Sequence, residues 1–111
     1  MRKRRTLAEL AREIMKILLE REKVPIRYAD LGKMIEYPPQ GLGRPLGLVS
    51  RYCSEKGLKP LPRLVVNAQG LPGRGYIPQG GSLSSDLRDV QEYDWAAVRL
   101  PTVEELKALQ F

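Results

Sequence analysis

The sequence predicts a mainly helical α+β domain, three helices followed by a β-hairpin, with a C-terminal extension. Three observations lead there. Apolar residues recur at helical spacing in three successive blocks before Gly57, with proline or glycine between the blocks. The run Arg63-Leu64-Val65-Val66-Asn67 has strand character and precedes a loop rich in glycine and proline. The charge also changes sign along the chain: residues 1–81 hold 16 basic and 7 acidic side chains, and residues 82–111 hold 3 and 6.

Taken in order, Thr6 with Glu9 forms a capping box. Leu7, Leu10, Ala11, Ile14, Ile17 and Leu18 then follow one helical stripe, predicting a helix from Leu7 to about Glu22 that Pro25 ends. Val24 and Ile26 flank that proline and suit a short extended segment. A second helix fits Tyr28 or Ala29 to Ile35, with Leu31, Met34 and Ile35 inward. Tyr37-Pro38-Pro39-Gln40-Gly41 is a stiff turn, since both prolines fix φ. A third helix fits Leu42 to Lys56, with Pro45 near its start and Gly57 as the residue that stops it. Leu42, Leu46, Val49 and Cys53 fall on one face of it, with Gln40, Arg44, Gly47 and Arg51 roughly opposite.

The strand Arg63–Asn67 is expected to pair as a hairpin with a second short strand at Tyr76-Ile77, across the loop from Ala68 to Gly81. Ser85 to Val98 has no decisive period. Thr102 and Glu105 form another capping box, opening a helix to about Leu109. No internal repeat is present. This order of elements is that of a winged helix-turn-helix, in which the third helix enters a DNA groove and the hairpin lies on the adjacent backbone. The predicted organisation is a basic arm (1–5: Arg2, Lys3, Arg4, Arg5), a winged-helix domain (6–81), and an acidic extension (82–111) packing on it.

Composition narrows the function. A chain of 111 residues suits one domain and not a large enclosed cleft. The formal net charge is +6, concentrated in front, where a polyanion would be met. The single cysteine excludes an intramolecular disulfide and a Cys-rich zinc site. The chain has no histidine, which removes the commonest general base and metal ligand. No apolar run approaches the ~20 residues of a membrane span. Ser50, Ser54 and Asp30 have no base arranged around them. The expectation is a cytoplasmic, non-enzymatic protein, nucleoid-associated if bacterial, without metal, cofactor or membrane.

The stretch from Pro25 to Tyr76 resembles the C-terminal DNA-binding domain of the O6-alkylguanine-DNA alkyltransferases and their non-enzymatic relatives, the alkyltransferase-like proteins. Ile26-Arg27-Tyr28-Ala29-Asp30-Leu31-Gly32 resembles that family's Thr-Tyr-Gly-Glu-Leu-Ala segment. Gln40-Gly41-Leu42-Gly43-Arg44-Pro45-Leu46 resembles the Arg-Ala-Val-Gly-x-Ala-Leu opening of its recognition helix. Pro60-Leu61-Pro62-Arg63, Val65-Val66-Asn67 and Gly70 are similar to its Pro-Cys-His-Arg-Val-Val-Gly segment and following loop. Gly73 to Tyr76 is similar to its Gly-rich wing ending in Tyr. The match covers about half the chain.

The departures are as informative. The alkyl-accepting cysteine of the family falls on Leu61 and its following histidine on Pro62, so alkyl transfer is not expected. Cys53 lies elsewhere, on the apolar face of the third helix, as a buried thiol does. The arginine that the family inserts to help extrude a damaged base falls on Gln40; Arg44, one turn on, supplies a cation nearby. Tyr28 matches the tyrosine that the resemblance assigns to rotating the phosphate, or it is a core or rim residue. Gly41, Gly43 and Gly47 allow close approach of DNA, or adapt the chain to its turn.

Leu61, Val65 and Tyr76 are candidates to line a base pocket. Arg51, Lys56, Lys59, Arg63 and Arg74 are candidate phosphate contacts, and the arm residues Arg2, Lys3, Arg4 and Arg5 are expected to lie along a phosphate backbone or in a groove, or else to form a solubilising tail. Trp95 is expected to pack the tail onto the domain. The resemblance therefore implies a non-catalytic double-stranded DNA-binding protein that either senses alkylated bases by nucleotide flipping or binds without regard to damage. A sequence-specific regulator, dimeric through the first or last helix, is an alternative. So is an inhibitor-like interaction module, with a protein partner on the acidic part.

Overall fold

The computed structural model describes residues 4–73 and 76–110. The first helix, α1, spans Leu7–Glu20 and starts where the capping box puts it. Thr6 Oγ1 accepts the Glu9 amide at 3.2 Å, and Glu9 Oε1 accepts the Thr6 amide at 2.7 Å. It ends two residues short of Glu22, where Arg21 turns extended and a lysine side chain satisfies one of the last carbonyls. Lys23 Nζ donates to the Leu19 and Arg21 carbonyls, freeing the chain to extend before Pro25. Ile26–Arg27 forms β1, and α2 follows directly over Tyr28–Ile35. Of the inward residues expected on α2, Leu31 and Ile35 are buried, whereas Met34 is 53% exposed.

Pro39–Gly41 is a 3-10 turn that leads into α3, Gly43–Glu55. The predicted apolar face holds: Leu42, Val49 and Cys53 are fully buried and Leu46 nearly so. Gly57, at φ +67°, lets the Leu58 amide turn back to the Cys53 carbonyl and close the helix.

The hairpin is corrected. Leu61–Leu64 is a 3-10 turn, started by Pro60 and Pro62, and the strand that follows, β2, is only Val65–Val66. It pairs in parallel with β1, Ile26 opposite Val65 and Arg27 opposite Val66. Tyr76-Ile77 is not a strand, and among the described residues no antiparallel wing forms. Asn67 explains why. Its side-chain oxygen accepts the amides of Gln69 and Leu71, and its own amide donates to the Leu71 carbonyl, so the chain folds on itself directly after β2.

The segment without decisive period contains α4, Leu83–Glu92, and a 3-10 turn at Trp95–Ala97. The last helix, α5, is Val103–Lys107, capped by Thr102 and Glu105 as expected and held by a two-pronged Arg99–Glu105 pair. Residues 82–110 belong to the main core: Val90 and Leu106 are fully buried and Trp95 is 8% exposed. Trp95 packs as expected, its indole N–H donating to the Val90 carbonyl at 2.7 Å. The apolar stripe of α1 is used internally, against α3 and α5. The architecture is a helical α+β domain with a two-stranded sheet. Among the described residues, no helix is long and apolar enough to cross a membrane.

Candidate nucleic-acid interface

The outer face of α3 organises the candidate site. Gln40, Gly43, Arg44, Gly47, Arg51 and Ser54 are all exposed, and Ser50 is half-buried among them. The buried stripe fixes this orientation: once Leu42, Leu46, Val49 and Cys53 face inward, the residues offset by about half a turn face out.

At the N-terminal end of this face lies a cavity of about 330 Å³. Gln40 from the turn and Gly43, Gly47 and Ser50 from α3 line it together with Tyr28, Val65 and Tyr76 from the other elements. Two neighbouring hollows share Gly47 and Arg51, one bounded also by Arg44 and Leu109, the other by Ser50, Ser54 and Ile77. Gly47 lines all three.

Tyr28 is met by the loop backbone: the Gly73 amide donates to its hydroxyl at 3.2 Å. A side chain at Gly73 would collide with that hydroxyl, so the closeness of loop and tyrosine depends on glycine. That bond uses the Tyr28 oxygen as acceptor and does not use its O–H as donor. Tyr76 is held from the other side. Its hydroxyl donates to Asp86 Oδ2 at 2.6 Å, and the amides of Gln79 and Gly80 donate to the same carboxylate at 2.8 and 2.6 Å. Asp86 itself is fully buried.

Burial acts to raise the Asp86 carboxyl, but the Tyr76 hydroxyl, the two amides and the charge of Arg63 outweigh it and hold it below its ordinary value. Burial and the Asp86 bond push the Tyr76 hydroxyl upward, so it stays protonated. A carboxyl lowered by folding adds stability above its unfolded value of about 3.9 and loses it as pH falls through the folded value. The Gln79 and Gly80 amide shifts are therefore expected to stay constant above about pH 5 and to move in acid below about pH 4. An NMR pH titration checks this, and amide shifts that stay flat through acid would refute it.

The sequence candidates divide clearly. Tyr28, Gln40, Val65 and Tyr76 meet at the cavity, with Gly41 beside it in the turn and Arg44 and Arg51 exposed along the same helix. Leu61 is fully buried, and its neighbour Pro62 lines the cavity instead. Arg63 is 5% exposed; its Nε donates to the Leu83 carbonyl, which puts the guanidinium inside the protein. Arg5 is engaged internally: it bonds Glu13 at 2.9 and 3.0 Å and the Glu36 carbonyl, and stacks 5.7 Å from the Tyr37 ring centre. Arg4, Lys56 and Lys59 are exposed. Arg2, Lys3 and Arg74 lie outside the described residues.

Cys53 is fully buried and does not line the cavity; burial pushes its thiol up to about 11. Among the described residues, no cluster of three His, Cys, Asp or Glu side chains could hold a metal ion. Sequence reasoning missed Ser50 and Asp86 as parts of this region. Ser50 had a usable signal, being spaced i+7 from Gly43 and i+3 from Gly47 on one face. Comparison with known proteins finds no matching family model, no matching curated protein and no matching solved structure.

Proposed function

We propose that this protein is a non-catalytic double-stranded DNA-binding protein that receives an extruded, alkylated base in the cavity at the start of α3. One observation carries the reading: the residues that the resemblance ties to base extrusion, Tyr28 and Gln40, border the same cavity as Val65 and Tyr76. Its volume is that of a small-ligand pocket. Its lining includes aromatic rings to stack on a base, and hydroxyl and amide groups to read the base edge.

On this reading the helix-turn-helix is α2, the Pro-stiffened turn and α3, and the loop after β2 takes the place of a winged-helix hairpin. Gln40, exposed on the 3-10 turn at the cavity rim, is the wedge that fills the gap in the stack. Arg44 and Arg51 on α3, and the exposed Lys56 and Lys59 beyond it, meet phosphates. Binding ends in recognition rather than reaction, since the position of the family's acceptor is Leu61, a side chain with no nucleophile.

Fluorescence anisotropy with matched duplexes, one carrying O6-methylguanine, tests this. The lesion duplex is expected to bind about tenfold more tightly, a difference of ~1.4 kcal/mol. With ~4–6 phosphates neutralised, the log–log salt slope is expected near −4 to −5. Equal affinities would remove damage sensing while keeping DNA binding. No binding at low salt would remove both, and would favour a protein partner.

A further inference from the structure

Asp86 lies in the acidic C-terminal part, beyond the stretch of sequence that the resemblance covers. It does not line the cavity. Yet its carboxylate gathers three donors from one short stretch: the Tyr76 hydroxyl and the Gln79 and Gly80 amides. The stretch is otherwise exposed at Ile77, Pro78, Gln79 and Gly80, with little packing of its own. A fully buried carboxylate accepting charge-assisted hydrogen bonds is a strong and directional anchor. α4 supplies it from a helix fixed in the core by Val90, four residues on.

We infer that Asp86 is a positioning residue for the cavity: it straps the Tyr76–Gly80 segment to α4 and thereby fixes the Tyr76 ring as one wall of the base site. This rests on the reading that the cavity receives a base. The geometry explains why a carboxylate is needed. Two oxygens, with about four lone-pair sites, accept all three donors. An asparagine of the same shape must turn its NH2 toward at least one of those donors, which leaves that donor unpaired. The C-terminal thirty residues are then part of the recognition site, acting through Tyr76.

The test compares Asp86→Asn, Tyr76→Phe and the double variant with the wild type, by anisotropy on the lesion-bearing and plain duplexes. Asp86→Asn is expected to lower the lesion-to-plain affinity ratio about tenfold while changing plain-duplex affinity less than about twofold. Tyr76→Phe keeps the carboxylate and two of its donors, so it tests the link even where Asp86→Asn does not fold. It is expected to lower the ratio by a smaller factor. The double variant is expected to be no worse than Asp86→Asn alone, because the two residues act as one unit.

A lesion ratio in folded Asp86→Asn equal to that of wild type overturns the inference alone. So does a Tyr76→Phe ratio unchanged from wild type. A wild-type ratio of one overturns the base-receiving reading and this inference with it. A fall in affinity for both duplexes by the same factor marks Asp86 as merely structural and also overturns the proposal.

Discussion

Gly47→Ala is expected to make the protein more stable and a poorer DNA binder at once. Gly47 sits mid-way along α3, where glycine costs ~0.5–1 kcal/mol relative to alanine. Nothing lies within 4 Å of where its Cβ would be, so the fold itself gives no reason for the glycine. Thermal unfolding should therefore shift upward by about 2–5 °C. The same Cβ would project into the face on which three hollows meet, where the proposed function brings a duplex close to the backbone. Plain-duplex affinity is expected to fall about tenfold or more.

Opposite signs in one variant separate contact from folding, since a structural glycine would lose both together. Gly43→Ala, at the first residue of α3, is expected to weaken binding with almost no gain in stability. Calorimetry and anisotropy on the same samples decide. A Gly47→Ala protein that binds as wild type would show that the outer face of α3 is not the contact face.

Leu106→Ala is expected to give the largest loss of stability. Leu106 is fully buried, although α5 is only five residues long, and that helix packs against α1. Removing a buried leucine costs ~2–5 kcal/mol, against a total of ~5–15 for a domain of this kind. Denaturant unfolding should show a lower midpoint with an unchanged slope. The transition seen by Trp95 fluorescence should coincide with that seen by far-UV circular dichroism. Two separated transitions would mean that residues 82–111 form a unit of their own, and a loss below ~1 kcal/mol would mean that α5 is only lightly docked.

The helices were legible because their signals are local. Thr6 with Glu9, and Thr102 with Glu105, announce helix starts within four residues. The Leu42–Leu46–Val49–Cys53 stripe fixes which side of α3 faces out, and that orientation brings Gln40, Gly43 and Ser50 to one place. The hairpin was misread because pairing is a choice among distant partners. Val65 and Val66 have strand character but no local mark saying that Ile26 and Arg27 will take them. Nor does the sequence show that the Tyr76 hydroxyl belongs to Asp86.

α4 was obscure for a related reason. Its buried residues are Asp86 and Val90, with Leu87 packed half-buried beside them, a helical stripe with a carboxylate in place of an apolar side chain. A pattern read by hydrophobicity breaks at that residue. The break marks the carboxylate that accepts the Tyr76, Gln79 and Gly80 donors, so the interrupted stripe and the unread contact have one cause.

The burial of Cys53 also has a practical side. It is the only thiol in the chain, it is fully enclosed, and it is held in its unreactive protonated form at neutral pH. An alkylating probe in solution can reach it only when α3 lifts from the core. The rate of its modification is thus a clock for that opening, readable by mass spectrometry without any label. A ligand that binds only the closed form slows the clock by the factor 1 + [L]/Kd, so the native chain carries its own sensor of occupancy.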